Sequence, residues 1–238
     1  MYNGKKISVI FPAYNEEDNI TSAIDDFFST GVVDEIVVVD NNSKDATAEK
    51  VRKTQARLVK EERQGYGFAL RKGMLEAEGE LVILVEPDGT FIGRDVFKLL
   101  SYSEDFKLVL GTRTTSELIW QGANMSFFLR TGNIVVAKLL EFLFDGPSLS
   151  DCGCTLRLIH RDALEIINPK LTVGASHFLP EMVILALSNK IKVIEIPLNY
   201  RSRIGVSKIT GSFRKAFLTG IRMIMLIISY RIKREAVS

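Results

Sequence analysis

The chain has 238 residues, 46% hydrophobic and 25% charged, with a formal net charge of +2, which suits one large α/β domain and is too weakly basic to mark a nucleic-acid binder. Two cysteines, Cys152 and Cys154, are too few for a disulfide framework or a four-ligand zinc site and read as reduced packing residues of a cytosolic protein. No signal peptide is expected, since the amino terminus runs almost at once into a strand, and the longest wholly apolar run near the carboxyl end, 223–228, falls far short of the roughly 18–20 residues of a membrane span; a cytoplasmic chain, soluble or peripheral, is expected.

Residues 6–11 predict a strand that stops at Pro12-Ala13-Tyr14-Asn15-Glu16, after which Ile20, Ala23, Ile24, Phe27 and Phe28 recur at helical spacing. A second buried strand at 35–39 ends in the polar turn Asp40-Asn41-Asn42-Ser43-Lys44-Asp45, and a helix follows over 46–54. A weaker strand at 57–60 leads to Gly65-Tyr66-Gly67 and a helix carrying Ala69, Leu70, Met74 and Ala77.

Next come Leu81-Val82-Ile83-Leu84-Val85 and then Glu86-Pro87-Asp88-Gly89-Thr90. Five apolar residues closed by Pro and Gly predict a buried parallel strand, with two carboxylates where it leaves the core. Open α/β sheets bind ligands at that end of their strands. A hard divalent cation uses one or two carboxylates plus substrate phosphates, so Glu86 and Asp88 are candidate ligands for Mg²⁺ or Mn²⁺ holding a diphosphate. The same residues equally suit a turn whose Asp caps the helix starting near Gly93. The order βαβαβαβ predicts a mostly parallel sheet with helices on both faces.

A strand at 106–110 ends at Gly111-Thr112-Arg113, an irregular stretch passes Trp120 and Gln121, and a helix is predicted over 127–144, carrying Arg130. Within 151–159 a short strand puts Thr155, Arg157 and Ile159 on one face. Residues 178–188 predict a helix with Glu181 near its start, 192–196 a strand, and 197–208 a basic loop containing Arg201, Arg203 and Lys208. Over 213–233, at about 100° per residue, Arg214, Lys215, Arg222, Ser229 and Lys233 share a third of the helical wheel, with Phe213, Phe217, Ile221, Ile224, Ile227 and Ile228 mostly opposite. Such a helix lies in an anionic membrane surface, or packs on its own domain or in a dimer. The expected division is a catalytic domain over 1–212 and a basic amphipathic helix over 213–238. His160 and His177 have no Ser or Cys partner at interpretable spacing, so a hydrolytic triad is not expected.

In this order the motifs resemble the family 2 glycosyltransferases of the GT-A (Rossmann-like) fold, in particular the polyprenyl-phosphate sugar transferases typified by dolichol-phosphate mannose synthase. Pro12-Ala13-Tyr14-Asn15-Glu16 is similar to their opening nucleotide-binding motif. The resemblance implies that Pro12, Tyr14 and Glu16 meet the base and ribose, with Asp40 holding the nucleoside and Gly65 beside it. The usual second Asp after Asp40 is Asn41 here. Glu86-Pro87-Asp88 stands at the family's Asp-any-Asp metal motif, one methylene longer at Glu86. Gly111-Thr112-Arg113 resembles a Gly-Ser-Arg whose Arg approaches the acceptor phosphate, with Arg130 a second such group. Residues 151–157 resemble the acceptor-side motif, and 201–208 the Arg-rich loop that closes on the diphosphate, where Arg203 and Lys208 would add positive charge.

The implied activity is inverting, metal-dependent transfer of a hexose from a GDP- or UDP-sugar to a polyprenyl phosphate at the cytoplasmic membrane face. A phosphate acceptor is already an anion near pH 7 and needs no strong base. A hydroxyl acceptor on a saccharide or glycolipid would need one, and Asp151 and Glu181 are then the candidates. A third expectation, prompted by Glu86, is a catalytically silent sugar-nucleotide-binding or lipid-binding protein.

Overall fold

The computed structural model describes residues 1–123, 127–203 and 213–235. Seven strands form one sheet: β1 (Ile7–Ala13), β2 (Glu35–Asp40), β3 (Arg57–Lys60), β4 (Leu81–Leu84), β5 (Leu108–Thr112), β6 (Arg157–His160) and β7 (Val193–Pro197). Their spatial order is β3-β2-β1-β4-β6-β5-β7. β6 runs antiparallel to both β4 and β5, while the other pairs are parallel. The expected mostly parallel sheet is therefore present, with one reversed strand in its middle.

Side-chain alternation along the strands builds two cores. Ile10, Val37, Val39, Val82 and Leu84 face α3 (Tyr66–Glu76), α5 (Phe127–Phe144), α6 (Arg161–Ile167), α7 (Phe178–Ser188) and α8 (Phe213–Glu235). Val9, Phe11, Ile36, Val38 and Ile83 face α1 (Ile20–Phe28), α2 (Thr47–Arg52) and α4 (Val96–Tyr102). Burial on both faces explains why the central strands read as continuous apolar runs.

Because β6 is reversed, the loop that precedes it, Asp151 to Leu156, arrives at the same sheet edge as the carboxyl ends of β1, β2, β4 and β5. Of the expected 151–159 strand only Arg157, Leu158 and Ile159 pair with their neighbours, as part of β6. Asp151 to Thr155 instead stays a loop and joins the cleft.

The helix α8 has two different faces. Its inner face packs on α5 and α7: Ile227 is fully buried, Ile224 and Met223 lean on the same core, and the Tyr230 hydroxyl donates to Glu181 Oε1 at 2.7 Å. Its outer face leaves Phe217, Leu218, Ile221, Met225, Ile228 and Ile232 exposed, with Arg222 and Lys233 exposed as well. The apolar wheel expected from 213–233 is thus split, with Ile224 and Ile227 serving the domain interior. Among the described residues, no helix is long and apolar enough to cross a membrane.

Candidate active site

A cleft of about 580 Å³ opens at the carboxyl edge of the sheet. Pro12, Ala13, Tyr14, Glu16, Asn41 and Gln64 line one end; Glu86, Asp88, Arg113, Thr155, Tyr200 and Arg203 line the middle. The far end runs between α5 and α8, where Phe128, Leu129, Leu179, Phe217, Ile221 and Ile224 make it apolar.

The polar end is built by cross-bracing of two strand-end loops. Asn15 N–H donates to Ser43 Oγ at 3.0 Å, Lys44 N–H to Asn15 Oδ1 at 2.8 Å, and Glu16 N–H to Thr47 Oγ1 at 2.8 Å. Asn15 and Asn42 both sit at positive φ, a region that Asn tolerates better than other residues with a side chain. Asp40 does not line the cleft; its Oδ1 accepts the Ser43 N–H at 3.1 Å and closes the turn.

Asn41, where the family's usual Asp is replaced, is a hub. Its amide donates to the Glu61 and Arg63 carbonyls at 2.9 and 2.8 Å, and its oxygen accepts the Gly65 N–H at 2.8 Å. An Asp here has no N–H to offer those two carbonyls. Gly65 is likewise structural and off the wall: a β-carbon there would stand 2.3 Å from the Gly174 carbonyl oxygen.

Glu86 and Asp88 both face the cleft. Asp88 is 1% exposed; its Oδ1 accepts the Thr90 N–H and Oγ1–H at 3.0 and 2.5 Å, leaving Oδ2 toward Arg203 at 2.9 Å. Glu86 Oε1 accepts from Thr155 Oγ1 at 3.2 Å, and that hydroxyl lies 2.7 Å from the Tyr66 hydroxyl. Burial and then the adjacent Asp88 carboxylate push Glu86 up to about 7, against the pull of Arg203. Burial, reinforced by Glu86, keeps the Tyr66 phenol well above its usual range.

Among the described residues, no three His, Cys, Asp or Glu side chains converge as a cation cage. Two carboxylates with one oxygen each turned to the cleft nevertheless fit a Mg²⁺-type ion, which takes its remaining ligands from phosphates and water. The donor set therefore suits a cation arriving with a diphosphate.

Arg113 lines the cleft with its guanidinium fixed from behind. Nε and Nη2 donate to Asp151 Oδ2 and Oδ1 at 2.7 and 2.9 Å, and Asp151 also accepts the Arg113 and Gly153 N–H groups at 3.2 Å each. Burial alone would lower the arginine, but Asp151 outweighs it and holds Arg113 well above its ordinary range. Asp151 is in turn seated by Glu195, whose carboxylate accepts the N–H groups of Ser150 and Asp151 at 2.8 and 2.9 Å.

Two expectations are corrected here. Glu181 is fully buried, accepting from Thr172 N–H and Oγ1–H, Val173 N–H and the Tyr230 hydroxyl at 2.6–3.0 Å. It ties the 172–173 loop to α8 and lies off the cleft wall, so it is no base. Asp151 is also fully buried, with both oxygens engaged on Arg113, and it positions that arginine instead of reaching for a proton. Arg130 is half-buried on α5 beside the wall residues Leu129 and Thr131 but is not itself on the wall. Lys208 lies outside the described residues. The roles of Tyr66 and Asn41 carry no local signal: Tyr66 reaches Thr155 across 89 positions.

The profile of glycosyl transferase family 2 matches residues 8–167. A dolichyl-phosphate hexose transferase of Haloferax volcanii is 32% identical over 211 residues, covering 87% of this chain and 88% of that protein. A dolichyl-phosphate beta-glucosyltransferase of Trichomonas vaginalis is 27% identical, over 95% of this chain and 74% of that protein. Among solved structures, the Mycobacterium tuberculosis glucosyl-3-phosphoglycerate synthase in complex with Mn²⁺, UDP and phosphoglyceric acid shares the fold, with a TM-score of 0.74 at 20% identity over 96% of this chain and 79% of that one.

The family match and the Haloferax volcanii relative make the protein a glycosyltransferase. The chain belongs to glycosyl transferase family 2.

Proposed function

We propose that the protein transfers a hexose from a nucleotide diphosphate sugar to a polyprenyl phosphate of the dolichyl type, at the cytoplasmic face of a membrane. The observation that carries this reading is the two-part cleft: carboxylates and arginines meet in the polar part of a channel whose far end is walled by apolar side chains of α5 and α8. The names of the relatives point the same way. The nucleoside lies along Pro12, Tyr14 and Glu16, its diphosphate beside Glu86, Asp88 and Arg203, and the lipid chain along Phe128, Leu129, Phe217 and Ile221.

Breaking the anomeric C–O bond builds negative charge on the departing diphosphate, and only groups that meet that charge more strongly in the transition state speed the step. A divalent ion, Mg²⁺ or Mn²⁺, held by Asp88 and Glu86 would supply Lewis-acid stabilisation there. Arg203, and Lys208 with it, meets the same phosphate charge. Arg113, pre-set by Asp151, orients the acceptor phosphate through charge-assisted hydrogen bonds, with Arg130 on α5 as a second group that could approach it. A phosphate oxygen attacks as the anion it already is, which accords with the full engagement of Asp151 and Glu181 in hydrogen bonds.

The test is transfer of radiolabelled hexose from each common UDP- and GDP-sugar to polyprenyl phosphate in detergent, with and without EDTA. Labelled lipid that disappears with EDTA is expected. Label passing only to saccharide hydroxyls, or no turnover with Mg²⁺ or Mn²⁺ supplied, would reject the reading.

A further inference from the structure

Arg203 stands where three acidic groups converge. Its Nη1 lies 2.9 Å from Asp88 Oδ2 and 3.8 Å from Glu86 Oε2, and its Nη2 lies 2.9 Å from Glu16 Oε1. The Arg203 side chain is 20% exposed, those of Glu16 and Asp88 9% and 1%, and that of Glu86 29%, so water screens the pairs to Glu16 and Asp88 little. The cleft's other guanidinium, Arg113, is committed to Asp151 and does not compete for the same oxygens.

The space between Asp88 Oδ2 and Glu86 Oε2 is the place a cation must take to touch both carboxylates, at roughly 2.0–2.1 Å for a Mg²⁺-type ion. Nη1 of Arg203 already fills it. A lone cation entering would break the pairs to Asp88 and Glu86 and set a second positive charge beside a largely buried guanidinium left with Glu16 alone, which is costly where water screens little. A cation that arrives with a diphosphate brings the replacement anion with it.

We propose that Arg203 makes cation binding conditional on the donor: it occupies the gap between Glu86 and Asp88 in the donor-free enzyme and turns onto the diphosphate as the ion takes the carboxylates. This rests on the reading of Glu86 and Asp88 as cation ligands. Its consequence is discrimination against the free metal ion and against nucleosides lacking a diphosphate.

The test follows free Mn²⁺ by electron paramagnetic resonance in titrations of the full chain, alone and with UDP or GDP, corrected for Mn²⁺ held by the nucleotide in solution. Wild type is compared with Arg203→Gln, which removes the charge at similar length, and with Arg203→Lys, whose single ammonium cannot span Glu16 and the gap together. Circular dichroism melting confirms that each variant is folded. Wild type is expected to bind Mn²⁺ alone weakly and at least about tenfold more tightly with its nucleotide. Arg203→Gln is expected to bind Mn²⁺ alone at least about tenfold more tightly than wild type, with the nucleotide's enhancement reduced to match, and Arg203→Lys to fall between. Equal nucleotide-free affinity in all three proteins, with nucleotide-dependent binding intact, would overturn the role of Arg203 and leave the cation site standing. Absence of Mn²⁺ binding even with nucleotide would overturn both.

Discussion

Asp88 divides its two oxygens between two tasks. Oδ1 holds the Thr90 turn and Oδ2 faces the cleft; Asp88 does not cap the helix near Gly93, whose N–H donates to Asp26 Oδ2 at 2.7 Å. The charge on Arg113 is organised in a similar way, since Asp151 grips it bidentately from the core side. Replacing Arg113 with Lys keeps the charge and loses the fork. Steady-state kinetics should then show the KM for polyprenyl phosphate raised about tenfold, a change of about 1.4 kcal/mol, with the donor KM unchanged; a change confined to the donor would reassign the residue. Cys152 and Cys154 lie 1% and 0% exposed, and burial pushes both thiols up to about 12. Since the thiolate is the reactive form, neither should react with a chromogenic disulfide reagent at mildly alkaline pH in the folded enzyme, and both should react in concentrated guanidinium chloride. Rapid reaction of either in the native state would mean that the loop from Asp151 to Leu156 opens. The packing role of these cysteines was legible from their number and spacing, whereas the link from Tyr66 through Thr155 to Glu86 was not, because nothing local in any of the three segments encodes a contact made across the sheet edge.

Among the elements, the parallel strands were readable because burial on both faces leaves continuous runs such as Ile36-Val37-Val38-Val39. The reversal of β6 was not, since strand direction depends on which neighbours the strand meets and leaves no mark on Arg157-Leu158-Ile159-His160 itself. The helix α6 also escaped, being 7 residues long and too short for a clear period. For α8 the wheel set basic residues opposite apolar ones, whereas in the structure Arg222 and Lys233 share the exposed side with Met225, Ile228 and Ile232 while Ile224 and Ile227 turn to the core. That split changes the experiment. Removing the helix would strip the core as well as any membrane contact, because Ile227 is fully buried and Tyr230 bonds Glu181. Tyr230→Phe should cost about 1–2 kcal/mol, seen as a lower urea midpoint; an unchanged midpoint would show that the 172–173 loop does not need the clamp. The outward substitutions Met225→Glu, Ile228→Glu and Ile232→Glu together should leave the melting temperature nearly unchanged. They should weaken co-sedimentation with anionic phosphatidylglycerol vesicles at least about tenfold, since buried apolar area and attraction to anionic lipid both contribute to such binding. Undiminished co-sedimentation would remove α8 from the membrane contact.

At the scale of the whole molecule, one sheet edge gathers a polar half and an apolar half into a single channel. The order of the strand-end motifs along the chain was enough to expect the polar half, because a parallel sheet brings its carboxyl ends together wherever they fall in sequence. The apolar half depends on how α5 and α8 lie against each other, 69 positions apart between Phe127 and Phe144 on one side and Phe213 and Glu235 on the other at their nearest ends, and no periodicity reports that contact. The same holds for Arg203, whose carboxylate partner Glu16 is 187 positions away; its place in the Glu86–Asp88 gap is what the proposed donor-conditional binding of a cation rests on. The account as a whole depends on Asp88 meeting the charge of the departing diphosphate during hexose transfer. Transfer of labelled hexose to polyprenyl phosphate by Asp88→Asn, in a preparation whose circular dichroism and melting match wild type, tests this most directly. The expected result is a loss of about a hundred- to a thousandfold in turnover, and turnover equal to wild type would contradict it.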